Sequence, residues 1–167
     1  MIAPPEFLVA MLKPWNDFYS HSKPAATVVV SLHIGGLLLA GGFAIAADRS
    51  TLRALRLGAE ARVQPMKELA AVHRWVITGL AIIVTSGLAL LASDIETFWG
   101  SWVFWVKMTL VVLLLVNGLM MTRTEASLAS DASDASPSWR SLRRSTVTSL
   151  TLWFTITLLG VALANIV

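Results

Sequence analysis

Apolar residues gather into four runs along the chain, at about 24–47, 71–92, 101–122 and 146–167, separated by stretches rich in charge or in small polar residues. Each run is near the roughly 20 residues a helix needs to cross about 30 Å of hydrocarbon at about 1.5 Å per residue. The pattern predicts an all-α fold, a four-helix bundle integral to a membrane over residues 24–167. Residues 1–23 read differently. Phe7, Leu8, Met11, Leu12, Trp15, Phe18 and Tyr19 alternate there with Lys13, Asp17 and several prolines. That mixture predicts a short amphipathic segment lying in the interface, with Trp15 and Tyr19 at headgroup depth and the segment lidding the outer end of the bundle.

The connections set the expected topology. Asp48–Ala70 carries Arg49, Arg53, Arg56, Arg62 and Lys67, and Arg123–Ser145 carries Arg123, Arg140, Arg143 and Arg144. Ser93–Gly100 holds Asp94 and Glu96 and no basic residue. By the positive-inside rule both basic connections are cytoplasmic, so both termini and the acidic loop face out. The same charges argue against cleavage after Ala44-Ile45-Ala46, which has the form of a signal-peptidase site. Within the third connection, 126–138 is small, polar and mildly acidic, the composition of a flexible cytoplasmic linker. Trp99, Trp102 and Trp105 at one end, and Trp139 and Trp153 at the other, read as interfacial belts.

Composition sharpens this reading. At 167 residues and 56% hydrophobic, with mean hydropathy +0.70, the chain is too apolar for a soluble domain of its size. It contains no cysteine, which excludes disulfides, thiolate metal sites and covalent c-type haem attachment. The net charge of +3 comes from arginines in two loops, a topology signal rather than a nucleic-acid surface. Spanning helices point to the inner, cytoplasmic membrane, with the lipid bilayer as the first partner.

One ionisable side chain, His33, sits near the middle of the first run. A titratable group within a membrane is costly, which makes it a functional candidate. Gly36, Ala40, Ala44 and Ala47 follow it at three- and four-residue steps, forming a small-residue groove on the same helix face. Such a groove admits either a close neighbouring helix or something flat, such as a porphyrin edge. Counted from the outer helix ends, Lys107 and Met108 fall within about one turn of His33, a candidate outer site. His73 and Arg74 fall level with Met120, Met121 and Arg123, a candidate inner layer. A haem b on His33 follows most simply, with Met108, Lys107, water or nothing as the second axial ligand. His73 is a less direct ligand, because its depth differs from that of His33 by about 10–15 Å.

Lys107 reads either as a snorkelling cation or as a functional one, a partner for a haem propionate or a proton carrier. Asn117 is expected to join helices by hydrogen bonding. No GxSxG elbow, HExxH, P-loop or intramembrane carboxylate pair is present, so redox or transport chemistry remains, and an enzymatic role would be that of an oxidoreductase component.

HIGG at 33–36, TSGLAL at 85–90, and the series Gly100, Lys107, Leu110, Val111 and Asn117 together resemble the four-helix domain of the copper-resistance D (CopD) type. The likeness covers about residues 28–123. More distantly, the chain is similar to HemJ-type haem-b membrane proteins, in which a first-helix histidine and a third-helix lysine are associated with haem and activity; His33 and Lys107 match those positions. The resemblance implies either a b-type haem protein moving electrons in the membrane, with a membrane or periplasmic redox partner, or copper passage. In the copper case His33 with Met108, and His73 with Met120 or Met121, would form two soft Cu(I) sites. A third reading is a cofactor-free structural subunit, within a homo-oligomer or a larger complex, whose polar residues only fix packing.

Overall fold

A computed structural model of the chain describes residues 3–54, 63–130 and 137–166, and everything described beyond short connections is helical. The elements are α1 (Glu6–His21), α2 (Lys23–Ala54), α3 (Val63–Ser93), α4 (Ile95–Gly100), α5 (Trp102–Ser130) and α6 (Pro137–Ile166). Four of them, α2, α3, α5 and α6, contain stretches long and apolar enough to cross a membrane. Helices suit such stretches because each satisfies its own backbone hydrogen bonds where no water can do so. All four helices outrun the apolar segments that announce them: α2 continues past Asp48, and α5 and α6 enter the stretch read as a linker from both sides. The linker's centre, 131–136, lies outside the described residues. The reason for the extension is local. Arg, Leu, Ala and Glu are good helix formers, and nothing just beyond the apolar stretches breaks the helix.

The ends of the elements follow from particular residues. Pro4 and Pro5 precede α1, whose first turn closes with Leu8 N–H donating to the Pro5 carbonyl at 2.9 Å. A single residue, Ser22, separates α1 from α2, and its hydroxyl accepts from Ala25 N–H at 3.4 Å. Lys23 and Pro24 then open α2, where proline's missing N–H costs nothing. Between α3 and α5, Asp94 caps the short α4 by accepting from Thr97 N–H at 3.3 Å.

Helices α2 and α3 pack along each other, α5 and α6 do the same, and α2 against α6 joins the two pairs. Hydrophobic burial adds little between helices in lipid, so close backbone approach and polar contacts do more of the work. The α2–α3 seam shows the first. A Cβ at Gly79 would stand 2.6 Å from the Ala40 nitrogen, so the two backbones touch there and α3 could carry nothing larger than glycine without moving. Large apolar side chains face outward instead, among them Leu38, Leu88, Leu119 and Leu158.

The interior has three layers. Nearest α4, Val103, Phe104 and Leu163 form an apolar cluster with Leu91, Phe98, Met108 and Leu159 against it. In the middle, Ala40, Leu114, Trp153 and Ile156 form a second. Trp153, read from sequence as an interfacial residue, is only 5% exposed; Gly41 leaves room for its indole, since a Cβ there would meet the ring at 3.4 Å. Two turns farther along each of these antiparallel helices, Asp48 and Thr146 reach a common level. They belong to a buried polar layer with Thr51, Asn117, Ser145 and Ser149. Asn117 Nδ2 donates to the Ser145 carbonyl at 2.9 Å and so ties α5 to α6.

Helix α1 lies across the α4 end, against α3, α2 and α4. Trp15 Nε1 donates to the Ala89 carbonyl at 2.9 Å, and Asn16 Nδ2 donates to the Ser93 carbonyl at 2.6 Å. Phe7, Met11 and Phe18 form an exposed apolar face on α1, while Lys13 and Asp17 pair at 3.9 Å on its polar side.

Candidate functional site

His33 stands ten residues into α2, on the face that packs against α3. Its neighbours on that face are small, but they are already occupied. A Cβ on Gly36 would lie 3.0 Å from both Ile82 Cγ2 and Ile83 Cγ1, and fully buried Ala40 backs onto Gly79. Over Gly36 and Ala40 the groove therefore holds a helix, the first of the two occupants its spacing allows.

The imidazole itself is half-buried. Its Nδ1 lies 3.0 Å from Ser86 Oγ on α3. Ser86 Oγ in turn lies 2.6 Å from the Ile82 carbonyl and 3.2 Å from the Ile83 carbonyl. Gly87 completes the surround: a Cβ there would come within 3.3 Å of His33 Cε1 and 3.7 Å of Nδ1. One histidine is thus held by a hydroxyl on one side and by an absent side chain on another.

Lys107, on α5, points its ammonium toward α6, where a Cβ on Gly160 would lie 3.4 Å from Nζ. Among the described residues Lys107 has no ion-pair partner. His33 precedes Ala40, and Lys107 precedes Leu114, by about two turns, so the two basic groups share the α4-side half of the interior. Met108, the next residue, packs instead into the apolar cluster of Val103, Phe104 and Leu163.

His73 lies on α3, and its side chain lies outside the described residues. Between His73 and Ser86, the partner of His33, run between three and four turns of α3, about 20 Å. Around that far end, Arg74 is exposed and lies over the Trp75 ring at 5.4 Å, while Phe43 and Trp75 stack at 6.1 Å. Met120 and Arg123 are exposed on α5. Among the described residues no three His, Asp or Glu side chains come together. His21, on α1, is exposed and bonds the Asp17 carbonyl through Nδ1 at 2.7 Å.

Sequence reasoning does not single out Ser86 as the histidine's partner, although it lies in TSGLAL. The signal was there in Gly79, Ser86 and Gly87: small residues on α3 where a close neighbour is needed. Asp48 also reads differently in three dimensions. In sequence it opens a basic connection; in the fold it is 2% exposed, on a helix that continues through it.

With the groove over Gly36 and Ala40 filled by α3, what remains for a b-type haem is the donor set. It offers an imidazole fixed through one nitrogen, and a cation with no ion-pair partner among the described residues at a similar level. No protein-family model, no characterised protein and no solved structure matches this chain at a significant level.

Proposed function

We propose that this protein binds one b-type haem through His33 and carries electrons within the inner, cytoplasmic membrane, as a redox protein or as one subunit of a membrane oxidoreductase. The observation that carries the reading is the His33–Ser86 contact inside a span, with Lys107 at the same level of the bundle. An imidazole in lipid needs a hydrogen-bond partner whatever its role; a second basic group at the same level is what packing alone does not call for.

In this reading the termini and α4 face outward. The support is the charge distribution: Asp94 and Glu96 lie at the α4 end, and exposed Arg53, Arg140, Arg143 and Arg144 lie at the other.

Bound haem would supply a one-electron couple. The chain's own residues do the rest. His33 binds through the ring nitrogen that Ser86 does not hold. Lys107 would pair with a propionate, which would neutralise an otherwise costly intramembrane charge. The apolar layer of Ala40, Leu114, Trp153 and Ile156 keeps water from running between the α4-side half and the buried polar layer at the other end.

The test is a dithionite-reduced minus oxidised visible spectrum of detergent-purified protein, with metal analysis of the same sample. A b-type α-band that disappears in His33→Ala is the expected result. A featureless spectrum from cells with ample haem overturns the reading. Copper in that sample would favour copper passage, and neither metal would favour a structural subunit.

A further inference from the structure

The Ser86 hydroxyl has one proton to donate, and its shortest contact is the Ile82 carbonyl at 2.6 Å. A carbonyl can only accept, so the proton is committed along α3, as it is for Thr78 and Thr85 on the same helix. Toward His33, at 3.0 Å, the Ser86 oxygen is left to offer a lone pair. The edge of the ring that Ser86 meets is kept clear by Gly87, where a Cβ would stand 3.3 Å from Cε1.

From this geometry we infer that Ser86 is the positioning residue of the site. It holds His33 as the tautomer protonated at Nδ1, with Nδ1–H donating to Ser86 Oγ and the Nε2 lone pair left for a metal. Ser86 touches no ligand itself; it acts through the ring. Such a tether also raises the basicity of the ligating nitrogen and fixes the ring plane. The tautomer follows from hydrogen bonds of this chain alone. Only the identity of what Nε2 binds rests on the haem reading.

Two measurements separate these claims. The first is nitrogen NMR of haem-free protein labelled at its histidine ring nitrogens, with the His33 signals identified by their loss in His33→Gln. The expected spectrum shows His33 protonated at Nδ1 and bare at Nε2. Ser86→Ala should convert much of it to the opposite tautomer, which is intrinsically preferred in water, and Ser86→Thr should restore the wild-type pattern. A wild-type His33 protonated at Nε2 and bare at Nδ1 overturns the inference, as does an unchanged tautomer in folded Ser86→Ala. The wild-type spectrum decides the tautomer even if Ser86→Ala fails to fold, and Ser86→Thr, which keeps the hydroxyl, then tests the tether.

The second measurement is haem titration. Ser86→Ala should weaken haem binding by about 10- to 100-fold, the usual cost of losing a residue that orients a ligating histidine, and Ser86→Thr should recover it. If the tautomer is as expected but no variant binds haem, the haem reading fails and the role of Ser86 stands.

Discussion

Gly79 and Gly118 are both glycines in the middle of apolar helices, yet the fold asks opposite things of them. A Cβ at Gly79 would stand 2.6 Å from the Ala40 nitrogen and 2.8 Å from its Cβ, whereas a Cβ at Gly118 would meet nothing within 4 Å. Gly79→Ala should therefore push α2 and α3 apart and cost about 1–3 kcal/mol, the usual range for overpacking. Gly118→Ala should be neutral or raise stability by up to about 1 kcal/mol, the helix-propensity difference between the two residues. Unfolding in mixed micelles checks both; equal stability of Gly79→Ala and wild type would show that the two backbones can separate without penalty. His33 follows the same logic of local surroundings. Its chemistry is set less by depth than by two neighbours on α3, a hydroxyl and a missing side chain.

At the scale of elements, α1 is the part of the fold with the fewest anchors. Pro14 lies inside it and removes the hydrogen bond to the Ala10 carbonyl, and no residue of α1 is buried. Its attachment to α3 depends on Trp15 and Asn16 reaching the carbonyls of Ala89 and Ser93, over an open apolar groove of about 450 Å³ bounded by Leu12, Trp15, Leu88 and Ala92. Each such bond contributes on the order of 1 kcal/mol, or roughly five-fold in an opening equilibrium. Combining Trp15→Phe with Asn16→Ala should raise amide exchange in α1 by roughly 25-fold on that arithmetic. The amides of α2 and α3 should change little. Exchange that rises equally in α3 would mean that α1 is part of the bundle's cooperative core rather than a cover laid on it.

For the whole molecule, the absence of cysteine makes topology directly measurable. Single cysteines at Ser20, Glu96 and Asn165, all exposed positions at the α4 end, should react with an impermeant maleimide in intact cells. Cysteines at Ser50 and Ser141, exposed near the opposite end, should react only after permeabilisation. The reverse pattern would invert the proposed orientation and place the His33 half of the bundle on the cytoplasmic side. Either way the layering is the same: an α4-side half in which His33, Ser86 and Lys107 stand beside the apolar cluster of Val103, Phe104 and Leu163, a middle closed by Ala40, Leu114, Trp153 and Ile156, and a buried polar layer around Asp48 and Thr146.

The sequence by itself determined the four helices of membrane length, because hydropathy over about 20 residues is decided by transfer into lipid and needs no partner. It also singled out His33 and Lys107 and put them at similar depth, since a fixed helical rise converts residue number into distance from a membrane face. Rotation and neighbours were another matter. Small residues after His33 are compatible with a helix or a flat ligand, and only the tertiary structure put Gly79 against Ala40, Ile82 and Ile83 against Gly36, and Ser86 against the imidazole. Trp153 and Asp48 are the clearest cases. Tryptophan and aspartate near the end of an apolar run ordinarily face headgroups and water, and these two are buried: Trp153 lies against Gly41 where α6 meets α2, and Asp48 lies on a helix that continues past it. Periodicity marks which face of a helix is unusual, but which other helix covers it depends on the packing of all four together.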